Sequence, residues 1–109
     1  MGRKLRSRLL LLREWRSVVR KVASVVGELY PDAKVYLIGG VAEGRATVLS
    51  DVDLVVAFER SLSMEERAEA LARIWEAIEG EVPMYYPLEI LILGASELSR
   101  IRGKKVRVR

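Results

Sequence analysis

The chain predicts an α/β domain, a small mixed β-sheet with helices packed mainly on one face. Three observations lead there. Apolar runs of strand length stand near 34–38, 52–58 and 88–93. Two longer stretches, one before the first run and one between the second and third, carry apolar residues at three- and four-residue steps, the period of an amphipathic helix. Strands alternating with helical stripes bury their apolar faces by packing as layers. A length of 109 residues, half of them hydrophobic, predicts one domain over 1–109 with one core.

Each element has its own signal. Leu11, Trp15, Val18, Val22, Val25 and Leu29 mark one face of a long first helix over about 5–29, stopped between Gly27 and Pro31. Around Leu9–Leu12 that helix is apolar on more than one face, an excess that a partner chain or a second copy would cover. Lys34–Ile38 reads as the first strand, closed by Gly39-Gly40, and Val52–Phe58 as the second. Ser63 followed three residues later by Glu66 is a capping box. It opens a helix whose expected buried face is Met64, Ala68, Leu71, Trp75 and Ile78, with Gly80 as its stop. Leu88–Leu93 is the third strand, Ser96–Arg102 a short final helix, and about 100–109 a basic tail. No internal repeat or dividing linker interrupts this order.

Composition narrows the chemistry. The chain has no Cys and no His, which removes disulfides, zinc-thiolate sites, cysteine nucleophiles and histidine-based proton shuttles. Asn and Gln are also absent beside many Glu, Lys and Arg, a composition that hints at a thermophilic source. Leu9–Leu12 is far shorter than a membrane span, and Arg13 and Glu14 end it too soon for a signal peptide, so a cytoplasmic protein without membrane association is expected. Charge is unevenly spread. Residues 1–21 hold eight basic residues and one acid, and 100–109 hold six basic residues and no acid. Between them stand five basic and fourteen acidic residues, a net of −9. The plain reading is a solvated helix face and a frayed tail. The alternative is a pair of basic arms for nucleic acid or an acidic partner, although no aromatic residue interleaves with the C-terminal charges to stack a base.

Against this background three acids stand in apolar surroundings. Asp51 and Asp53 flank Val52 at the start of the second strand, and Glu89 follows Leu88 at the start of the third. An unpaired charge in such a place is costly, so these acids call for a cation or an ion-pair partner. The two-residue spacing points both aspartates to one face of a strand, and a Mg²⁺ site needs hard oxygen donors of this kind together with water and phosphate. Partners also offer themselves: Arg45 for Asp53, and Arg73 or Arg100 for Glu89. Gly39-Gly40 would let backbone N–H groups approach an anion, with a helix start behind them. Gly39, Gly44, Arg45 and Ala46 only approximate a P-loop, because Arg and Ala replace its Lys and Ser or Thr.

Taken together, Gly39-Gly40, ten residues, Asp51-Val52-Asp53-Leu54 and a later strand carboxylate resemble the DNA polymerase β-like nucleotidyltransferase superfamily. The pattern is most similar to its smallest members, the minimal nucleotidyltransferases, with Ala42, Gly44, Ala46, Ser50, Asp51, Asp53 and Leu54 in register over roughly 34–93. The resemblance implies a nucleotidyltransferase-like fold and a Mg²⁺-dependent transferase. Asp51, Asp53 and Glu89 would be the catalytic metal ligands, holding two Mg²⁺ ions. Gly39, Gly40, Arg45 and Ser50 would bind the nucleoside triphosphate, ATP as substrate. It further implies a toxin–antitoxin setting, with transfer of AMP to a hydroxyl of a small helical HEPN-domain protein. The same partner could instead be bound without catalysis. Three positions depart from the minimal pattern: Gly40 for Ser, Glu89 for Asp, and Glu43 where an Arg near the phosphates is usual.

Overall fold

A computed structural model describes residues 15–45, 51–83 and 86–109. The part of the first helix expected over 5–14, and Ala46 and Ser50 of the family pattern, lie outside the described residues. Helix α1 spans Trp15–Leu29, strand β1 Lys34–Ile38, the short helix α2 Gly39–Ala42, β2 Val52–Ala57, α3 Met64–Ile78, β3 Leu88–Leu93 and β4 Val106–Arg107, with a 3₁₀ turn at Leu98–Arg100 before β4.

The four strands form one mixed sheet in the order β3-β2-β1-β4. β2 and β3 are parallel, as the intervening helix α3 requires. β1 is antiparallel to both β2 and β4. Strand alternation then sorts the side chains. Val35, Leu37, Val52, Leu54, Val56, Ile90 and Ile92 form one face, packed against Val18, Val22, Val25 and Val26 of α1 and Ala70, Ile74 and Ile78 of α3. Each such aliphatic side chain contributes roughly 1.5–3 kcal/mol by leaving water. The opposite face is thinly covered. Val55, Ala57 and Leu93 are buried there under Tyr36, Ile38, Leu98 and Ile101, and Leu91 stays 41% exposed.

Helix α3 begins as expected: Ser63 Oγ accepts from Glu66 N–H and the Glu66 carboxylate accepts from Ser63 N–H, both bonds of the capping box. Its buried face is shifted from the expected one. Met64 is 83% exposed and Ala68 is exposed, whereas Ala70, Ile74 and Ile78 are buried and Leu71 and Trp75 half-buried. The capped first turn stands in solvent, and contact with the sheet begins beyond it. Gly80 ends the helical region with φ +82, a conformation suited to glycine.

Two expectations at the C-terminal end are corrected. Ser96 adopts φ +73, which breaks a helix at that point and leaves only the 3₁₀ turn of the expected Ser96–Arg102 helix. The expected frayed tail instead crosses back and pairs as β4, with Tyr36 opposite Arg107 and Leu37 opposite Val106. A buttress holds the start of this return. Arg67 Nη1 donates to Glu97 Oε2 at 3.0 Å and to the Ile92 carbonyl at 3.3 Å, Nη2 also donates to the second Glu97 oxygen, and Gly94 N–H donates to Glu97 Oε1 at 2.9 Å. No described helix is long and apolar enough to cross a membrane.

Candidate active site

The site is built where β1 ends and β2 and β3 begin. Register places Ile38 opposite Asp53, and Asp53 opposite Glu89. All three lie in one cross-strand row, and alternation turns the two acids to the thinly covered face, away from the helices. Val52, between the aspartates, is fully buried on the helix side. Asp51 shares the face of Asp53, one residue ahead of the strand, and is exposed. The core face of β2 thus fixes the direction of the acids.

Gly39 belongs to the same site. Its φ is +76, and a Cβ added there would stand 2.5 Å from Asp53 Oδ2. The Asp53 carboxylate occupies the space that any side chain at position 39 would need. Helix α2, which Gly39 and Gly40 open, has only four residues, so it adds little of the dipole expected at the glycines.

Asp53 and Glu89 are direct cross-strand neighbours on the parallel β2–β3 ladder. Burial pushes the Asp53 carboxyl above its ordinary value, and the neighbouring Glu89 and then Asp51 push it the same way. The alternative ion pairs do not take up these acids. Arg45 Nη2 donates to Glu43 Oε2 at 2.9 Å, Arg73 pairs with Glu69 at 3.0 Å, and Arg100 lies beside Glu97. The three carboxylates expected as one ligand set are only partly gathered: among the described residues no three acidic side chains stand close enough to hold a single ion. Asp53 and Glu89 form the pair, and Asp51 acts on it from farther off because it precedes the ladder. The donor chemistry nonetheless fits magnesium, which takes one or two carboxylates and completes its shell with water and phosphate oxygens.

Arg45, expected at the phosphates, is held by Glu43 and is exposed. Gly40 is half-exposed beside Gly39. Grooves of about 720 Å³ along α1 and 650 Å³ beside Tyr30 and Phe58 lie away from the acids, which sit on an open sheet face. The apposition of Gly39 and Asp53, and the apolar neighbours Ile38, Tyr36 and Leu91, were not singled out from the sequence. Strand alternation held part of that signal, but β2–β3 register was also needed.

Comparison with known proteins agrees with this architecture. The model of the nucleotidyltransferase domain family matches residues 19–108. The chain belongs to that family. A nucleotidyltransferase structure from Sulfolobus solfataricus aligns over 98% of this chain and 87% of its own, with 22% identity and a TM-score of 0.58. A second nucleotidyltransferase structure aligns over 83% of this chain and 96% of its own, with 26% identity and a TM-score of 0.59. A toxin–antitoxin structure with AMP-PNP covers 67% of this chain and 55% of its own at 19% identity, and its TM-score of 0.44 is too low to carry an argument. No curated protein matches.

Proposed function

We propose that this chain transfers a nucleoside monophosphate, AMP from ATP, to a hydroxyl group in a magnesium-dependent reaction. The observation that carries the reading is the Asp53–Glu89 pair, side by side on an open sheet face, with Asp53 set against a glycine whose conformation leaves room for it. A carboxylate whose proton affinity is raised by burial and by a neighbouring acid is poorly explained as a stability device, and the sequence pattern implies metal-binding acids at these positions.

Asp53 sits centrally and would ligate metal together with Glu89 on the acceptor side and Asp51 on the nucleotide side. Magnesium bound there would offset part of the triphosphate charge and favour loss of the acceptor hydroxyl's proton. Gly39 and Gly40 leave the end of β1 free of side chains, so phosphate can approach the backbone. The acceptor hydroxyl gives its proton to solvent water, its oxygen forms a bond to the α-phosphorus, the bond to the bridging oxygen breaks, and pyrophosphate leaves with the electron pair. Tyr36, Ile38 and Leu91 flank the acids with an apolar surface suited to a protein acceptor. The partner implied by the family pattern, a small helical HEPN-domain protein, is the acceptor we propose.

Calorimetric titration with Mg²⁺–ATP tests the site, and labelled ATP with the candidate partner tests the transfer. Wild type should bind the nucleotide and label the partner, and Asp53→Asn should do neither. Equal binding by wild type and Asp53→Asn would contradict the reading.

A further inference from the structure

The C-terminal segment reaches the phosphate end of the candidate site. After the 3₁₀ turn it crosses the thinly covered face, with Ile101 packed among Tyr36, Ile38 and Val55. It then turns at Gly103, where φ is +89, beside α2. A Cβ at Gly103 would lie 3.5 Å from Glu43 Oε2, and Glu43 N–H in turn donates to the Gly39 carbonyl at 3.0 Å. The turn therefore meets the side chain of the residue that closes the short helix opened by Gly39.

Register carries the placement further. Leu37–Val106 is the last pair of the ladder, and Lys105 and Lys104 precede Val106 at the end of β1 that leads into Ile38 and Gly39. Val106 packs into the helix-covered core, so alternation turns Lys105 to the face of the acids. Extended backbone before Val106 would bring Lys105 beside the row of Ile38, Asp53 and Glu89, two strand spacings, roughly 10 Å, from Asp53.

Charge completes the picture. Glu43 and Arg45 neutralise each other. Among the described residues Lys104 and Lys105 enter no ion pair, and Lys104 is exposed. A magnesium-bound triphosphate keeps excess negative charge on its β- and γ-phosphates, and it needs cations at the end away from the acids.

We propose that Lys104 and Lys105, carried to the glycine turn by Gly103 and β4, bind the β- and γ-phosphates of the nucleotide and make the site selective for triphosphates. They would supply the positive charge that Glu43 withholds. This deepens the metal–nucleotide reading and rests on it. It also gives the basic C-terminal run a function without invoking nucleic acid.

The test is calorimetric titration of the full chain with Mg²⁺–ATP and Mg²⁺–AMP. Lys104→Ala/Lys105→Ala should lose about tenfold or more in affinity for Mg²⁺–ATP and little for Mg²⁺–AMP. Lys104→Arg/Lys105→Arg should retain the preference. Arg16→Ala/Arg20→Ala, with the same change in net charge on α1, should bind as wild type. Unchanged ATP affinity in the lysine-to-alanine variant, an equal loss for AMP, or an equal loss in the α1 variant would each overturn the proposal. Loss in the lysine variant together with full binding by Asp53→Asn would keep the phosphate site and remove the metal reading. Failure of wild type to bind Mg²⁺–ATP would remove both.

Discussion

The two ends of the parallel β2–β3 pair hold acids in opposite circumstances. Beyond the end of β3, Glu97 receives two guanidinium nitrogens from Arg67 and a backbone N–H from Gly94, and these donors hold its carboxyl below the ordinary 4.5. At the start of the pair, Asp53 faces Glu89 with Asp51 behind it, and its carboxyl lies above the ordinary 3.8. The first acid is satisfied by the protein itself and locks the chain's return to β4. The second is left with like-charged company. A fold that supplies a cation at one end and withholds it at the other has the arrangement that the proposed metal site requires.

The largest effect that would sharpen this contrast is on ligand binding. Asp53→Asn should abolish Mg²⁺–nucleotide binding, and Glu97→Gln should leave it unchanged in the folded protein. Comparable losses in both variants, measured by calorimetry, would erase the distinction between the two ends. Next comes Gly39→Ala. It forces a residue with a Cβ into φ +76 and against Asp53 Oδ2, so we expect a loss of about 1–3 kcal/mol in chemical denaturation. Nucleotide binding should fall with it, because Asp53 must move. An alanine variant of wild-type stability would mean that Asp53 does not press on this glycine.

Stability against pH should separate the ends by sign. Glu97 has a lowered carboxyl, so its contribution is present above 4.5 and is lost as pH falls through the folded value. Asp53 has a raised carboxyl, so its contribution is present below 3.8 and is lost as pH rises through the folded value. Without metal at neutral pH, Glu97→Gln should therefore lower Tm and Asp53→Asn should raise it. A fall in both would identify Asp53 as a structural acid. The smallest expected effect belongs to Arg45→Ala, which frees the Glu43 charge near the phosphate end. An exposed pair of this kind is worth roughly 0.2–1 kcal/mol, so Mg²⁺–ATP affinity should weaken by no more than about fivefold. A hundredfold loss would instead place Arg45 on the phosphates.

Much of this fold was legible in the sequence because local signals were redundant. Lys34–Ile38 and Leu88–Leu93 combine apolar runs with flanking turn residues, and both strands have the expected bounds. Ser63 and Glu66 announced the start of α3. What was hidden depends on distant partners. β4 is two residues long in a basic run, and it exists because the unpaired edge of β1 accepts it. The turn of Ser96 to positive φ has no local residue signal of the kind glycine provides. The spacing of Asp51 and Asp53 showed a shared face, but the pairing with Glu89 needed the β2–β3 register. Arg45 could have faced the acids or Glu43, since a long side chain on an exposed turn has both within reach.

The alternation of β2 has a consequence for how this gene can change. Val52 and Leu54 face the core while Asp53, between them, faces outward. Deleting or inserting one residue within Val52–Ala57 would turn an aspartate into the core and a valine or leucine out to the site. Such a change would remove the core and the chemistry in one step, with no intermediate that keeps either. Length variation among descendants of this chain should therefore be confined to connections outside the ladder, while point substitution on the outward row stays open. The proposed catalytic row is protected from single-residue insertions and deletions by the hydrophobic residues on its reverse side.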